Sequence, residues 1–310
     1  MCRTCATVGF KERTLAGLDL VTKRAAQWKQ RGLSDARALS ASEAGALLGT
    51  DKYVGGWLDP RGGGVQPLSY ARELCKAAVN AGAKIHGQSA VTTLEREGAQ
   101  WRVRTASGAS VRAERVVMCT NGYTGAVWPG LAKTVITPNS FQVATEPLPE
   151  DVAKTILPQG HVSSDTRQLL FYFRFDHQRR FIMGGRGPFR EPTSAADWGH
   201  LERVIGRMFP AAAKAPIAFR WCGRVAITRD FLPHLHEPQP GLLINIGCMG
   251  RGVGLQTAMG RAMANYIVSG DADALPLPLS TMKSFPLHQF RRLYLSAIIA
   301  WYQMNDGGLA

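Results

Sequence analysis

Leu242 to Ile267 reads LLINIGCMGRGVGLQTAMGRAMANYI, and this stretch decides the fold. Leu242–Ile246 is a short apolar run of the kind that forms a buried strand. It passes into Gly247, Gly250, Gly252 and Gly254, with little bulk between them. An amphipathic helix is expected next, with Leu255, Ala258, Met259, Ala262, Met263, Tyr266 and Ile267 along one side. Strand, glycine turn and helix together make the usual cradle for a dinucleotide. Glycine lets backbone approach a phosphate or ring carbonyl, and free N–H groups at the positive end of the helix dipole point at it. An acidic residue ending a following strand would complete an opening dinucleotide fingerprint. Asp271 and Asp273 lie near that distance, but a Pro-rich loop follows them. The segment therefore reads as a closing strand–helix pair, either holding a ligand or simply packing tightly. No G-x-G-x-x-G occurs anywhere in the chain.

Composition sets the bounds. At 310 residues the chain is long enough for two domains, or one large domain with an insertion. Its 45% apolar and 19% charged residues are ordinary for a globular protein, and 33 Gly with 17 Pro suit a turn-rich α/β or β-rich fold. The formal charge of +14 raises nucleic acid or an anionic membrane as partners. The Lys and Arg residues are scattered, however, and a solvated basic surface that attracts anionic ligands is the favoured reading. Of six Cys, only Cys2 and Cys5 have metal-ligand spacing, without a second pair, so a frayed terminus is expected there and no metal. Cys119 and Cys222 sit in apolar runs and read as buried thiols of a reducing compartment. Residues 1–30 lack the apolar core of a signal peptide, and Leu293–Trp301 is too short to span a bilayer; cytoplasm is the default.

Along the chain, helices are expected at Ala16–Lys29 and Ser42–Leu48, the second capped by the Ser40–Glu43 box. A loop dense in Gly and Pro begins at Tyr53, and Pro67 opens a helix over Leu68–Asn80 that stops at Ala81-Gly82. Strands are expected at 84–86, 91–95, 101–105 and 110–119, the last ending in a buried Val116–Cys119 run and the turn Thr120-Asn121-Gly122-Tyr123. Ligands of open α/β sheets sit beyond the carboxyl ends of strands, which makes Thr120, Asn121 and Gly122 a second candidate site; an ordinary Asn-Gly turn is the alternative. Residues 135–235 read as a β-rich region. It has strands at 141–145, 168–175, 180–185 and 219–228, and helices at 150–157 and 195–208. In the 168–186 hairpin, Leu169, Phe171, Phe173 and Phe175 alternate with Gln168, Leu170, Tyr172 and Arg174. If that second face lines a cavity, Tyr172 and Arg174 offer a phenol and a guanidinium suited to a carboxylate, and Arg186 is a further anion-binding option. A final helix is expected over 287–304. Hydrolase and metalloenzyme motifs are absent from the sequence.

Five segments in order carry a family resemblance: GGWLDPRGGGVQPLSYARELCKAAVNAGAKIHGQSAVTTLE, ERVVMCTNGYTG, SDTRQLLFYFRFDHQRRFIMGGR, RWCGRVAITRDFLPHL and NIGCMGRGVGLQTAMGRAMANYI. Together they resemble the FAD-dependent oxidoreductases of the D-amino acid oxidase type, most of all their gamma-glutamylputrescine oxidoreductase branch. The resemblance implies an α/β (α+β) fold: an incomplete Rossmann-like FAD-binding domain with an inserted antiparallel β-sheet substrate domain. It implies a helical segment 1–52, FAD-binding parts at 53–130 and 236–310, and a substrate sheet at 131–235. It implies that Val91 contacts the adenosine part of FAD and that Thr120, Asn121 and Gly122 lie along the cofactor. Gly250, Arg251, Gly252, Val253 and Gly254 are implied to sit under the flavin. Tyr172, Arg174 and Arg186 are implied on the substrate side. The expected activity is oxidation of the C–N bond of an amine or amino-acid derivative. The sequence departs from the family in two places. After Trp221-Cys222-Gly223 the Arg is displaced to Arg224, which favours a larger amine over a free α-amino acid. The N-terminal glycine unit is also missing, which implies a chain corresponding to the latter part of such an enzyme. Such a chain is either impaired in FAD binding, or paired with a protein that supplies the unit, or a non-catalytic remnant.

Overall fold

The computed structural model describes residues 15–33 and 35–305. Cys2 and Cys5 lie outside them. Contacts divide the chain into two compact units. One comprises the residues up to Tyr70, Asn139–Gly223 and those from Leu293 on; the other comprises Ala71–Pro138 and Arg224–Arg292.

The first unit begins with α1 (Leu15–Gln30), β1 (Arg37–Ser40), α2 (Ala41–Leu48) and β2 (Gly55–Leu58), and β1 pairs antiparallel with β2. Helix α2 starts where expected. The Ser40 hydroxyl accepts the Glu43 N–H, and the Glu43 carboxylate accepts the Ser40 N–H at 2.8 Å. That bond, followed by Arg37, holds the Glu43 carboxyl at about 2. Helix α3 (Pro67–Asn80) runs from the first unit into the second, where β3 (Val91–Glu97), β4 (Gln100–Thr105) and β5 (Ser110–Ala113) form an antiparallel meander. Then comes β6 (Val116–Met118).

The substrate-domain expectation falls on β7 (Asn139–Pro147), α4 (Glu150–Ala153), β8 (Ser163–Ser164), β9 (Tyr172–Phe175), β10 (Arg180–Arg186), α5 (Gly199–Met208) and β11 (Ile217–Arg224). The five strands form one sheet in the order β11-β7-β10-β9-β8. Its core face carries Phe141, Val143, Phe173, Phe181 and Met183. These pack with Leu201, Val204, Ile205 and Met208, which recur at helical spacing along α5. Phe209 stands 5.0 Å from both Phe173 and Phe181, edge to face. Each of these side chains contributes about 1.5–3 kcal/mol by leaving water.

The second unit is completed by β12 (His234–His236), β13 (Leu242–Ile246) and α6 (Gly252–Ser269), after which α7 (Arg291–Asn305) closes the chain. All five residues of β13 are buried, because it is the central strand, antiparallel to β12 and parallel to β6. Leu243 packs under Met259 and Met263 of α6, while Leu242, Ile244 and Ile246 join Trp101 and Met118 on the other side. No helix among the described residues is long and apolar enough to cross a membrane.

Several elements differ from the sequence reading. Residues 84–86 form no strand. The 110–119 run is two strands of different sheets, β5 beside β4 and β6 beside β13, and Val117 and Cys119 are exposed. Cys222 is only half-buried, while Cys248 is buried. The 168–175 strand starts at Tyr172, because the Asp165 carboxylate accepts the N–H groups of Arg167 and Phe171 and folds the preceding residues into a turn. The 150–157 helix ends at Ala153, and Leu157 turns left-handed to donate to Leu48 O. Helix 195–208 opens as a tighter turn at Ala195–Trp198, and 287–304 does the same at His288–Phe290. Strand 219–228 is shifted to 217–224. β1, β2, β8 and β12 have too few residues to show a period.

Candidate functional site

Strands β6 and β13 run parallel, so their carboxyl ends lie together. There the chain turns at Thr120–Tyr123 and again from Gly247 on. One side chain joins the two turns. The Asn121 side-chain oxygen accepts the Gly247 N–H at 3.1 Å and the Cys248 N–H at 3.2 Å. Asn121 itself adopts φ +43°, a conformation that Asn tolerates better than most residues. Gly122 is buried against Arg224, where an added Cβ would stand 2.9 Å from the Arg224 carbonyl oxygen. Thr120 shares a 2.7 Å hydrogen bond with Thr124. Two of the candidate segments found in the sequence, 120–122 and 247–254, are thus brought into one place.

Helix α6 starts at that place. Arg251 occupies its N-cap position and makes no side-chain capping bond, and its first turn holds no acidic residue. Gly250 has φ +74°, which suits glycine. At Gly254 an added Cβ would meet nothing within 4 Å. Val253 is exposed beside it. Val91 is the first residue of β3, paired with Thr105 and exposed.

The open face of the five-stranded sheet belongs to the first unit. Register fixes which residues share it. Tyr172 is opposite Gly184, Gly184 is opposite Gln142, and Arg186 is opposite Ser140. The Tyr172 ring lies so close over Gly184 that a Cβ there would stand 2.0 Å from it. The Tyr172 hydroxyl is hydrogen-bonded to Ser140 Oγ. Burial pushes the Tyr172 phenol up, against the pull of Ser140 and Arg186, so it holds its proton at neutral pH. Burial also pushes the Arg186 guanidinium below its ordinary range, against the phenols of Tyr172 and Tyr302. Arg186 makes no ion pair with a carboxylate among the described residues. Arg174 shares the face, opposite Ile182, and donates to Val65 O at 2.7 Å. Ser140 and Gln142 were not singled out from the sequence. Extending the 141–145 strand by its own alternation to Asn139 would have placed both opposite Phe141. Phe219 and Trp221 are exposed on β11, and Arg180 lies 5.2 Å over the Phe219 ring. The displaced Arg224 belongs to the second unit. Its guanidinium lies 5.4 Å over the Tyr123 ring, and its backbone N–H donates to the Tyr123 hydroxyl.

Comparison with known proteins agrees with this architecture. The sequence profile of the family described as FAD dependent oxidoreductase (DAO) matches residues 5–266. A probable oxidoreductase OrdL of Haemophilus influenzae is 28% identical over 270 residues, covering 86% of this chain and 61% of that protein. Gamma-glutamylputrescine oxidoreductase of Escherichia coli is 27% identical over 307 residues, covering 96% of this chain and 70% of that protein. Among solved structures, glycine oxidase from Geobacillus kaustophilus superposes with a TM-score of 0.77 at 19% identity, over 91% of this chain and 76% of that one. The chain spans about three-fifths of the length of the OrdL protein it matches. By the match over residues 5–266, this α/β chain belongs to the DAO family of FAD-dependent oxidoreductases.

Proposed function

We propose that the chain acts in the oxidation of the C–N bond of an amine or amino-acid derivative, with FAD held at the carboxyl ends of β6 and β13. The observation that carries this reading is the Asn121 link. It fixes two turns at the edge where open α/β sheets take their ligands, directly before an uncapped helix N-terminus. The residues present suit FAD: backbone N–H groups of Gly252, Val253 and Gly254 face the start of α6, and Gly254 leaves open the space a side chain would fill. Thr120, Asn121, Gly122, Gly250 and Arg251 complete the cofactor-side set, with Val91 on the adenosine side. When bound, FAD supplies the two-electron acceptor. The positive end of α6 would stabilise negative charge on the ring.

The four-part division of the chain is kept as part of this proposal, with residues 131–235 as the substrate domain. On its open sheet face, Arg186 is a half-buried cation with no carboxylate partner among the described residues, and Tyr172 is a protonated phenol beside it. Together they suit a carboxylate carried by the substrate, with Arg174 as a second cation. Trp221 and Phe219 offer apolar surface for a longer amine.

The test is an FAD titration followed by flavin fluorescence, on the wild type and on Gly254→Val. The valine's Cβ meets nothing in the protein within 4 Å, so stability should be unchanged within about 0.5 kcal/mol. Its bulk stands where FAD is placed, so the dissociation constant should rise at least about tenfold. Equal affinity in the two proteins, or no saturable binding by the wild type, would sink the assignment.

A further inference from the structure

At the pole opposite the candidate cofactor turns, the second unit holds a charged cavity. Parallel pairing brings the amino ends of β6 and β13 together. Glu114, Arg115 and Gly241, which immediately precede those strands, line a space of about 360 Å³ with Arg96, Glu237 and Tyr266. That volume suits a small molecule. Gly270, which caps the carboxyl end of α6, lies at the same cavity, so the 18-residue helix places it about 27 Å from Gly252. The charged groups are held in place by backbone. Arg96 Nε donates to Gly98 O at 2.8 Å and its Nη1 to Pro240 O, with the guanidinium 5.4 Å over the Trp101 ring. Arg115 Nη1 donates to Ile267 O in the last turn of α6 at 2.8 Å. Neither pairs with a carboxylate among the described residues, and each keeps N–H groups that have no partner there. On the acidic side, Glu237 accepts the Gly241 N–H at 2.9 Å and the Tyr266 O–H at 2.6 Å. The bond to Glu237 pushes the Tyr266 phenol up, so it keeps its proton and Glu237 its charge. Glu114 is exposed. Gly241 has φ +80°, and an added Cβ would stand 2.8 Å from Glu114 O and 3.6 Å from the Arg96 guanidinium, so glycine keeps the space open.

We propose that this cavity binds a small zwitterion, a primary amine that also carries a carboxylate, with its carboxylate on Arg96 and Arg115 and its ammonium on Glu114 and Glu237. Two guanidiniums and two carboxylates face one space without pairing with each other. A lone anion there meets two carboxylates, and a lone cation meets two guanidiniums. A molecule with both charges satisfies each pair and repels neither. The carbonyls that anchor Arg96 and Arg115 fix both forks beforehand, so little side-chain freedom is lost on binding. The carboxyl end of α6 is the negative end of its dipole and adds to the preference for an ammonium. Binding there needs neither flavin nor Arg186, which belongs to the first unit. The cavity is thus a second site for compounds of the substrate's chemical class.

The experiment is amide NMR of the isotope-labelled full chain, titrated with beta-alanine and with epsilon-aminocaproate, and separately with acetate, propylamine and inorganic phosphate. The expected result is saturable shifts of the Gly241 and Gly270 amides with at least one of the two zwitterions. Its Kd should be at least about tenfold below that of acetate, propylamine or phosphate. Arg115→Gln keeps a donor for Ile267 O and loses the charge, and Glu114→Gln removes an exposed charge; each should raise the Kd at least about fivefold. Arg112→Gln, an exposed position of β5, and Arg186→Leu should each leave it within about twofold. The Glu114→Gln titration decides the matter even if Arg115→Gln does not fold. No shift at Gly241 and Gly270, a Kd for acetate, propylamine or phosphate equal to that of the zwitterions, or a glutamine variant at 114 or 115 that binds like the wild type overturns the proposal. A Kd that rises as much in Arg186→Leu as in Arg115→Gln places the zwitterion on the first unit and overturns it too. Shifts that survive Arg186→Leu uphold the cavity whatever becomes of the substrate role of Arg186.

Discussion

Asn121→Leu is expected to destabilise the second unit by about 3–7 kcal/mol and to abolish flavin uptake. The side-chain oxygen of Asn121 is the acceptor for both the Gly247 and the Cys248 N–H groups, and both of those residues are buried. Leucine nearly matches the volume but accepts nothing, so two buried donors are left without partners. Each such loss costs about 1–3 kcal/mol. Holding leucine at the φ of +43° found there adds about 1 kcal/mol more. Against a total stability of about 5–15 kcal/mol this is a large fraction, and the melting temperature should fall by roughly 10 °C or more. Asn121→Asp is the informative control. Its carboxylate can accept both bonds and tolerates the same backbone, so its melting temperature should stay close to wild type. If leucine and aspartate melt alike, Asn121 does not tie the two turns, and the site built on that link loses its basis.

Arg186→Leu is expected to move stability and activity in opposite directions. The guanidinium is held in a setting that disfavours its charge, and carboxylates do not compensate for it among the described residues. Removing it should leave the first unit as stable as before or more stable. If Arg186 meets a substrate carboxylate, losing that half-buried pair costs about 2–4 kcal/mol. This corresponds to a fall of roughly 30- to 1000-fold in kcat/KM for an amine that carries a carboxylate. A neutral amine of similar size should lose no more than about threefold. Equal losses on both substrates would show that Arg186 shapes the sheet rather than recognising an anion. A destabilised but active protein would contradict the assignment outright.

How much of this was legible beforehand depends on where each signal resides. β13 and α6 were readable because their periods are local: a fully apolar run of five residues, then a repeat at helical spacing. The α2 cap was readable for the same reason, since Ser40 and Glu43 answer each other within one turn. The aromatic row Phe171, Phe173 and Phe175 announced the hairpin, yet the strand is shorter than its alternation. Asp165 captures the backbone from six residues away, a tertiary contact that leaves no periodic trace. Residues 84–86 show the opposite failure. They read as a strand, but a strand exists only with a neighbour, and the described residues provide none.

The site was legible in its parts and not in its assembly. The Asn-Gly turn and the glycine run were each visible, but the bond between Asn121 and Gly247 spans 126 residues and no spacing rule foretells it. Ser140 was hidden for another reason. It is the second residue of β7, where only strand register reveals that it shares a face with Tyr172 and Arg186. The burial that perturbs Tyr172 and Arg186 is likewise a property of packing, not of composition.

The measurement that tests the central claim most directly is the visible spectrum of the FAD-loaded protein, recorded without oxygen as amines are added. The account predicts flavin bands that are bleached by at least one amine carrying a carboxylate, and bleached far more slowly in Arg186→Leu. Flavin bands that persist unchanged with every amine, under conditions where a full-length relative reduces its own flavin, would contradict it.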